Sequence, residues 1–194
     1  MKSKRIFVLL GHPDKTAAPI SFALANTYEE AAKAAGHEVR RMNLCEQTFD
    51  PILHDGYRSI QELEPDLKTI QDNITWCEHF VLVYPNWWGG MPALLKGMWD
   101  RLFLPRFAFR MHKNKFGWDA LLKGRTARVL IACGNPPFLD WLAFGDYTAS
   151  IRRSLLEFSG MRTSISSFGP SENPSDARKA GWVKQVKALA KAGK

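Results

Sequence analysis

The residues with the clearest chemical potential form one block, Tyr84-Pro85-Asn86-Trp87-Trp88-Gly89-Gly90-Met91-Pro92. Two adjacent indoles present broad flat faces, but they give a metal no ligand and a phosphate no cation. They suit a large planar aromatic molecule. A second block, Gly11 to Phe22, is rich in groups that hold an anion: Thr16 and Ser21 carry hydroxyls, and His12 and Lys15 add donors or charge. Where such a loop enters a helix, the first free amides and the helix dipole also favour negative charge. The plain alternative is a helix cap in which Ser21 satisfies backbone amides only, and this block alone does not decide between the two. A third block, Ala132-Cys133-Gly134-Asn135-Pro136-Pro137, joins a glycine that admits close backbone approach to prolines that stiffen a turn.

The first two blocks lie where an apolar run gives way to a helical one, and the third ends an apolar run. Strands are expected at 5–10, 38–44, 79–84, 127–133 and 163–168. Helices are expected at 19–35, from Pro65, from Pro92, at 147–158 and after an N-cap at Ser175. The helix after Pro92 carries the widest apolar stripe, Leu94, Leu95, Met98, Trp99, Leu102 and Phe103. An irregular stretch is expected at 105–123. The alternation of strands and helices predicts an α/β chain, with 1–194 as a single domain. Right-handed crossovers then give a five-stranded parallel sheet with helices on both faces, doubly wound in the flavodoxin-like order 2-1-3-4-5.

In that order the first, third and fourth strands are neighbours at the switch point, where such sheets bind ligands. The three blocks therefore converge as an anion cradle, a Trp-Trp platform and a Gly-Asn turn. A phosphate at one end and an aromatic plate at the other is the outline of a flavin. The first loop lacks the Gly-x-Gly-x-x-Gly fingerprint and contains no Gly-Lys-Ser/Thr, which disfavours a dinucleotide-binding fold of that type and a P-loop nucleotidase.

Composition narrows the field further. A formal charge of +8 favours anionic partners, but no basic recognition helix or zinc-finger pattern is present, so nucleic acid is not expected. The cysteines, Cys45, Cys77 and Cys133, are odd in number and widely spaced, which fits neither a disulfide framework nor a metal site. Cys133 adjoins the expected crevice, where a reactive thiol is conceivable and a small buried hydrophobe is favoured. No apolar run is long enough to span a bilayer. The apolar residues after Met1-Lys2-Ser3-Lys4-Arg5 stop at Gly11 and read as the first strand rather than a signal peptide, so a cytoplasmic location is expected.

The chain resembles the NAD(P)H:quinone oxidoreductase branch of the flavodoxin-like flavoproteins over nearly its whole length. The resemblance rests on Gly11-His12-Pro13 with Ser21-Phe22, on Phe49-Asp50-Pro51-Ile52, and above all on Pro85 through Gly97; Asp100-Arg101-Leu102-Phe103 and Phe107-Ala108-Phe109 continue it. It implies a bound flavin, FMN with FAD as the alternative, with His12, Ser21, Phe22 and Ala23 around the phosphate. Pro85, Asn86, Trp87 and Trp88 would hold the ring system, and Cys133, Gly134 and Asn135 would approach from the fourth strand. It also implies NADPH or NADH as cosubstrate, a quinone or similar small electrophile as acceptor, two-electron ping-pong kinetics, and a homodimer. Trp88, Phe107, Phe109 and Trp118 are candidate walls of the acceptor slot, and Arg106, Arg110, Lys113 and Lys115 candidate partners of the cosubstrate phosphates.

One departure from the family stands out. Relatives with a proton relay carry a Tyr and a His after the turn on strand four, whereas this chain has Asn135 to Trp141 with neither. No catalytic side chain is therefore assigned. Two rivals remain. A one-electron carrier of the flavodoxin type would be acidic, which the positive charge opposes. A regulatory flavoprotein subunit docked on a membrane transporter of the potassium-efflux type is the alternative function.

Overall fold

The structure, a computed structural model, describes residues 2–15, 20–114 and 116–194. Five parallel strands form its sheet. They are β1 (Arg5–Leu10), β2 (Glu38–Asn43), β3 (His79–Asn86), β6 (Thr126–Cys133) and β7 (Arg162–Phe168), in the spatial order β2-β1-β3-β6-β7. Between β3 and β6 in the chain lies a separate antiparallel pair, β4 (Phe109–Met111) and β5 (Trp118–Ala120). With that pair set aside, the sheet has the order expected from the sequence.

Alternate residues of β1 enter different cores, as a pleated strand requires. Ile6, Val8 and Leu10 pack with Leu24 and Tyr28 of α1 (Ile20–Ala34) and with Trp182 and Val186 of α5 (Asp176–Lys191). Phe7 and Leu9 pack with Ile70 of α2 (Pro65–Trp76) and with Leu95, Met98 and Trp99 of α3 (Ala93–Leu102). The stripe expected after Pro92 is thus the face α3 buries. The expected N-cap is present too, since the Ser175 hydroxyl accepts from the Arg178 N–H.

Four local differences from the sequence expectation have physical causes. β3 runs on through Pro85 and Asn86. β1 pairs with β3 only as far as Val83, so beyond that point Pro85 faces β6 alone, and a strand edge tolerates a missing N–H. The prolines after Asn135 do not merely stiffen a turn: Pro137 opens a helix, α4 (Pro137–Phe144), at the position where its absent N–H has no partner to lose. Apolar residues surround α4, so it has no amphipathic period to read. The 105–123 stretch contains the β4–β5 hairpin, whose strands are too short to show alternation. The segment Ser150–Glu157 is π-helical, with the Phe158 N–H donating to the Arg153 carbonyl.

The loop after β2 is fixed from below by Arg101 on α3. Its side chain is fully buried and donates to both carboxylate oxygens of Glu64, at 3.1 and 2.9 Å, and to the carbonyls of Glu62 and Asp50. Gly97 completes the contact, because a Cβ there would lie 2.5 Å from the Pro51 carbonyl oxygen. The Phe49-to-Ile52 motif is therefore seated directly on α3.

Candidate functional site

The carboxyl ends of β1, β3 and β6 open into two adjoining clefts. The first, about 320 Å³, is lined by His12, Ile20, Ser21, Pro85, Asn86, Trp87, Ala132, Gly134, Ser171 and Glu172. The second, about 360 Å³, is lined by Asn86, Trp87, Trp88, Gly134, Asn135, Asp140, Phe144 and Glu172. Asn86, Trp87, Gly134 and Glu172 belong to both, so the two form one crevice. The three sequence blocks meet in it.

At the β1 end, the hydroxyl of Ser21 is buried and has no hydrogen-bond partner among the described residues. It does not act as an ordinary cap. His12 is buried beside it, with its ring edge-on to Phe22 and to Trp87, each 5.8 Å away. The Asp14 N–H donates to His12 Nδ1 at 3.1 Å, so the neutral ring carries its proton on Nε2. Burial lowers the His12 pKa, against an opposing pull from the Asp14 hydrogen bond and charge. Phe22 backs the imidazole without lining the crevice, and Ala23 is exposed outside it. Thr16 lies outside the described residues, as does Lys115.

At the β3 end, Trp87 and Gly90 exchange backbone hydrogen bonds of 2.9 and 3.0 Å and close a tight turn. Trp88 occupies the left-handed region at φ +53 and is 95 % exposed. Gly89, at φ +71, rests so closely on α4 that a Cβ would come within 2.8 Å of Phe144 Cβ. Across the gap, a Cβ on Gly134 would meet only Glu172, at 3.8 Å, which leaves the backbone there open to a ligand. The Cys133 side chain turns away into the core, and burial pushes its pKa up to about 12, so it behaves as a buried hydrophobe. Its thiol lies 3.8 Å from the Tyr147 hydroxyl, which donates to Ser167 Oγ at 2.9 Å and lines neither cleft.

The other aromatic candidates sit elsewhere. Trp118 stacks on Phe158 at 4.3 Å and donates to its carbonyl, Phe109 meets the same ring edge-on at 5.2 Å, and Phe107 packs on Phe103. Arg110 and Lys113 line a shallow cleft on the β4–β5 hairpin, and Arg106 lines a groove beside the 53–60 loop. Among the described residues, neither crevice lining contains Lys or Arg.

Three polar crevice residues were not singled out in the sequence. Ser171 and Glu172 arrive because the chain after β7 passes beneath the β6 turn, where the Ser171 N–H donates to the Cys133 carbonyl at 2.9 Å. Nothing local in the sequence signals this. Asp140 is the third. It is almost fully buried, and it accepts from Asn86 Nδ2 at 2.8 Å and from Asn135 Nδ2 at 3.0 Å. A signal for it did exist, since it is the one charged residue in the apolar run Pro137–Phe144. α4 is consequently turned inside out. Asp140 is its only buried residue, while Phe138, Leu139, Trp141, Leu142 and Phe144 face solvent. Among the described residues, no cluster of His, Cys, Asp and Glu could hold a metal ion, and no helix is long and apolar enough to cross a membrane.

Known proteins share this architecture. The sequence profile of the flavodoxin-like fold family matches residues 4–189. An uncharacterised NAD(P)H oxidoreductase of Haemophilus influenzae is 30 % identical over 131 residues, which is 66 % of this chain and 63 % of that protein. The chain thus spans under two thirds of that relative. NAD(P)H dehydrogenase (quinone) 1 of Cavia porcellus is 27 % identical, over 96 % of this chain and 77 % of the relative. Among solved structures, an NAD(P)H:quinone oxidoreductase from Methanothermobacter marburgensis superposes with a TM-score of 0.78, at 19 % identity and over 98 % of each chain. An FMN-dependent NADH-azoreductase from Bacillus anthracis, solved with FMN, gives 0.73 at 18 % identity, over 97 % of this chain and 98 % of that one. On strand order, crevice and profile together, this chain belongs to the flavodoxin-like fold family, and the curated relatives it matches are NAD(P)H oxidoreductases and quinone dehydrogenases.

Proposed function

We propose that the chain is an NAD(P)H-dependent oxidoreductase that holds FMN in the crevice at the ends of β1, β3 and β6, and that it reduces a quinone or a similar small electrophile. The observation that carries this reading is the buried, unpartnered hydroxyl of Ser21. A desolvated hydroxyl without a partner is costly, and a phosphate oxygen would satisfy it. A second buried atom, Asn86 Oδ1, also lacks a partner and is suited to a ring N–H. The donor set therefore fits a phosphate joined to a polar-edged ring.

In this reading His12 donates from Nε2 to the phosphate while neutral. Glu172 accepts from hydroxyls. Trp87 and Trp88 cover one edge of the ring system and exclude water from it. The backbone amides of the Trp87 and Asn135 loops stabilise negative charge that develops beside them. A bound flavin supplies two-electron transfer from NAD(P)H to the acceptor. One slot beside Trp88 and Phe144 serves cosubstrate and acceptor in turn, which gives ping-pong kinetics. The exposed apolar face of α4 supports a homodimer in which a second copy covers it.

The test is an absorbance spectrum of the purified protein, then anaerobic addition of NADH or NADPH. Flavin bands that bleach and return on adding a quinone are expected, with heat release yielding FMN rather than FAD. Absence of bands, even after reconstitution with either flavin, would refute the proposal. Replacing both indoles, Trp87→Ala with Trp88→Ala, should lower flavin retention roughly tenfold or more with the fold intact, because base-sized stacking contacts are worth ~1–3 kcal/mol each.

A further inference from the structure

Asp140 is a crevice residue that the sequence motifs do not single out, and its geometry is specific. An ionised carboxylate only accepts hydrogen bonds. Asp140 accepts one from the side-chain amide of Asn86 and one from that of Asn135, each through a different oxygen. Both amides must therefore turn their NH2 groups toward it, and both carbonyl ends must point away. For Asn86 the outcome is visible: Oδ1 is buried, has no partner, and belongs to a residue that lines both halves of the crevice.

We propose that Asp140 is a positioning residue that sets the hydrogen-bonding polarity of the crevice, holding Asn86 so that it presents an acceptor and thereby selects ligands with an N–H or O–H donor at that point. The inference rests on the flavin reading for the identity of the ligand, but its geometry does not depend on it. Asp140 comes from α4, Asn86 from the end of β3 and Asn135 from the loop after β6. One carboxylate therefore ties together the elements that form the second cleft. Rotation of the Asn86 amide would replace the acceptor with a donor and leave the Asp140 oxygen facing another oxygen. The carboxylate thus excludes the alternative orientation by repulsion as well as favouring the observed one.

An asparagine at position 140 has one acceptor and one donor, so it can hold only one of the two amides in its present orientation. The experiment compares the binding of lumiflavin and 3-methyllumiflavin, which differ only in the ring imide N–H, by fluorescence quenching in the wild type, Asp140→Asn and Asn86→Ala. The wild type is expected to prefer lumiflavin by roughly tenfold, the scale set by leaving a buried acceptor unpaired. Asp140→Asn should reduce that preference to about twofold or less, and Asn86→Ala should do the same with the Asp140–Asn135 bond still in place. A purely structural role would weaken both ligands equally and keep their ratio. A preference retained in both variants, or absent from a wild type that binds both flavins, would overturn the inference and leave the flavin reading intact. Failure of the wild type to bind FMN as well as both compounds would overturn both. If Asp140→Asn does not fold, Asn86→Ala carries the test alone.

Discussion

Two buried charged groups organise this molecule, and they are used in opposite ways. Arg101 meets the loop after β2 with four hydrogen bonds, two of them to one carboxylate. The side chains and carbonyls it touches are turned inward to it, and the loop becomes part of the scaffold. Asp140 meets two amides and leaves the carbonyl of one of them, Asn86, buried without a partner among the described residues. The first network is closed except at Nε, which is buried without a partner among the described residues, and it serves the fold. The second leaves an acceptor unmet on a residue that lines the crevice. A site of this kind is recognised less by its charge than by the hydrogen bond it lacks.

The contrast can be broken first at Arg101. Arg101→Met should destabilise the chain by about 3 kcal/mol, because it strands the carbonyls and the Glu64 carboxylate that the guanidinium now serves. A urea titration would measure this, and a loss below 1 kcal/mol would show that the closed network is not structural. Glu64 gives an independent marker. Burial works to raise its pKa, yet the Arg101 hydrogen bonds outweigh that and hold it below the usual carboxylate range.

His79 sharpens the comparison from the other side, as a buried group kept uncharged. Burial, aided by nearby Lys4 and Arg128, lowers its pKa from 6.5 to about 3, and its Nδ1 lies 2.7 Å from Thr126 Oγ1. The folded pKa is below the unfolded one, so the unfolded chain takes up the proton first. The stability this group contributes is complete above pH 6.5 and is lost as pH falls from 6.5 toward 3. Between pH 7 and 5 the loss should be about 2 kcal/mol. His79→Gln should flatten that slope, and an unchanged pH profile would contradict the assignment.

Ser21 tests the open side with the smallest effect on the fold. Removing an unpartnered buried hydroxyl should leave the ligand-free chain equally stable or more stable by about 1 kcal/mol, unlike a typical core change. Ser21→Ala should at the same time weaken FMN about tenfold while leaving riboflavin, which lacks the phosphate, almost unaffected. Equal losses for both ligands would place the phosphate elsewhere.

Strand order, the stripe on α3 and the meeting of three loops were legible because each rests on a local period or on a topological rule. The Ser21 hydroxyl was legible as a residue but not as an orphan, since an ordinary helix cap has the same sequence. α4 was missed because Pro136-Pro137 imitates a turn and because an apolar residue at almost every position leaves no amphipathic pattern. Glu172 was invisible for a different reason: its approach to Gly134 depends on the chain after β7 crossing beneath β6, and no local spacing encodes such a contact. Phe107 and Phe109 read equally well as slot walls or as packing, and only their ring partners, Phe103 and Phe158, show them packed.

The burial of every cysteine has a practical side. Cys45, Cys77 and Cys133 are all withdrawn from solvent, and burial holds each thiol above its ordinary pKa. At neutral pH almost no thiolate is available to an alkylating probe. The chain thus comes with a silent background for site-directed labelling. A single exposed substitution such as Lys184→Cys on α5 would accept a maleimide dye at one known place, away from α4, without first stripping the native thiols from the core.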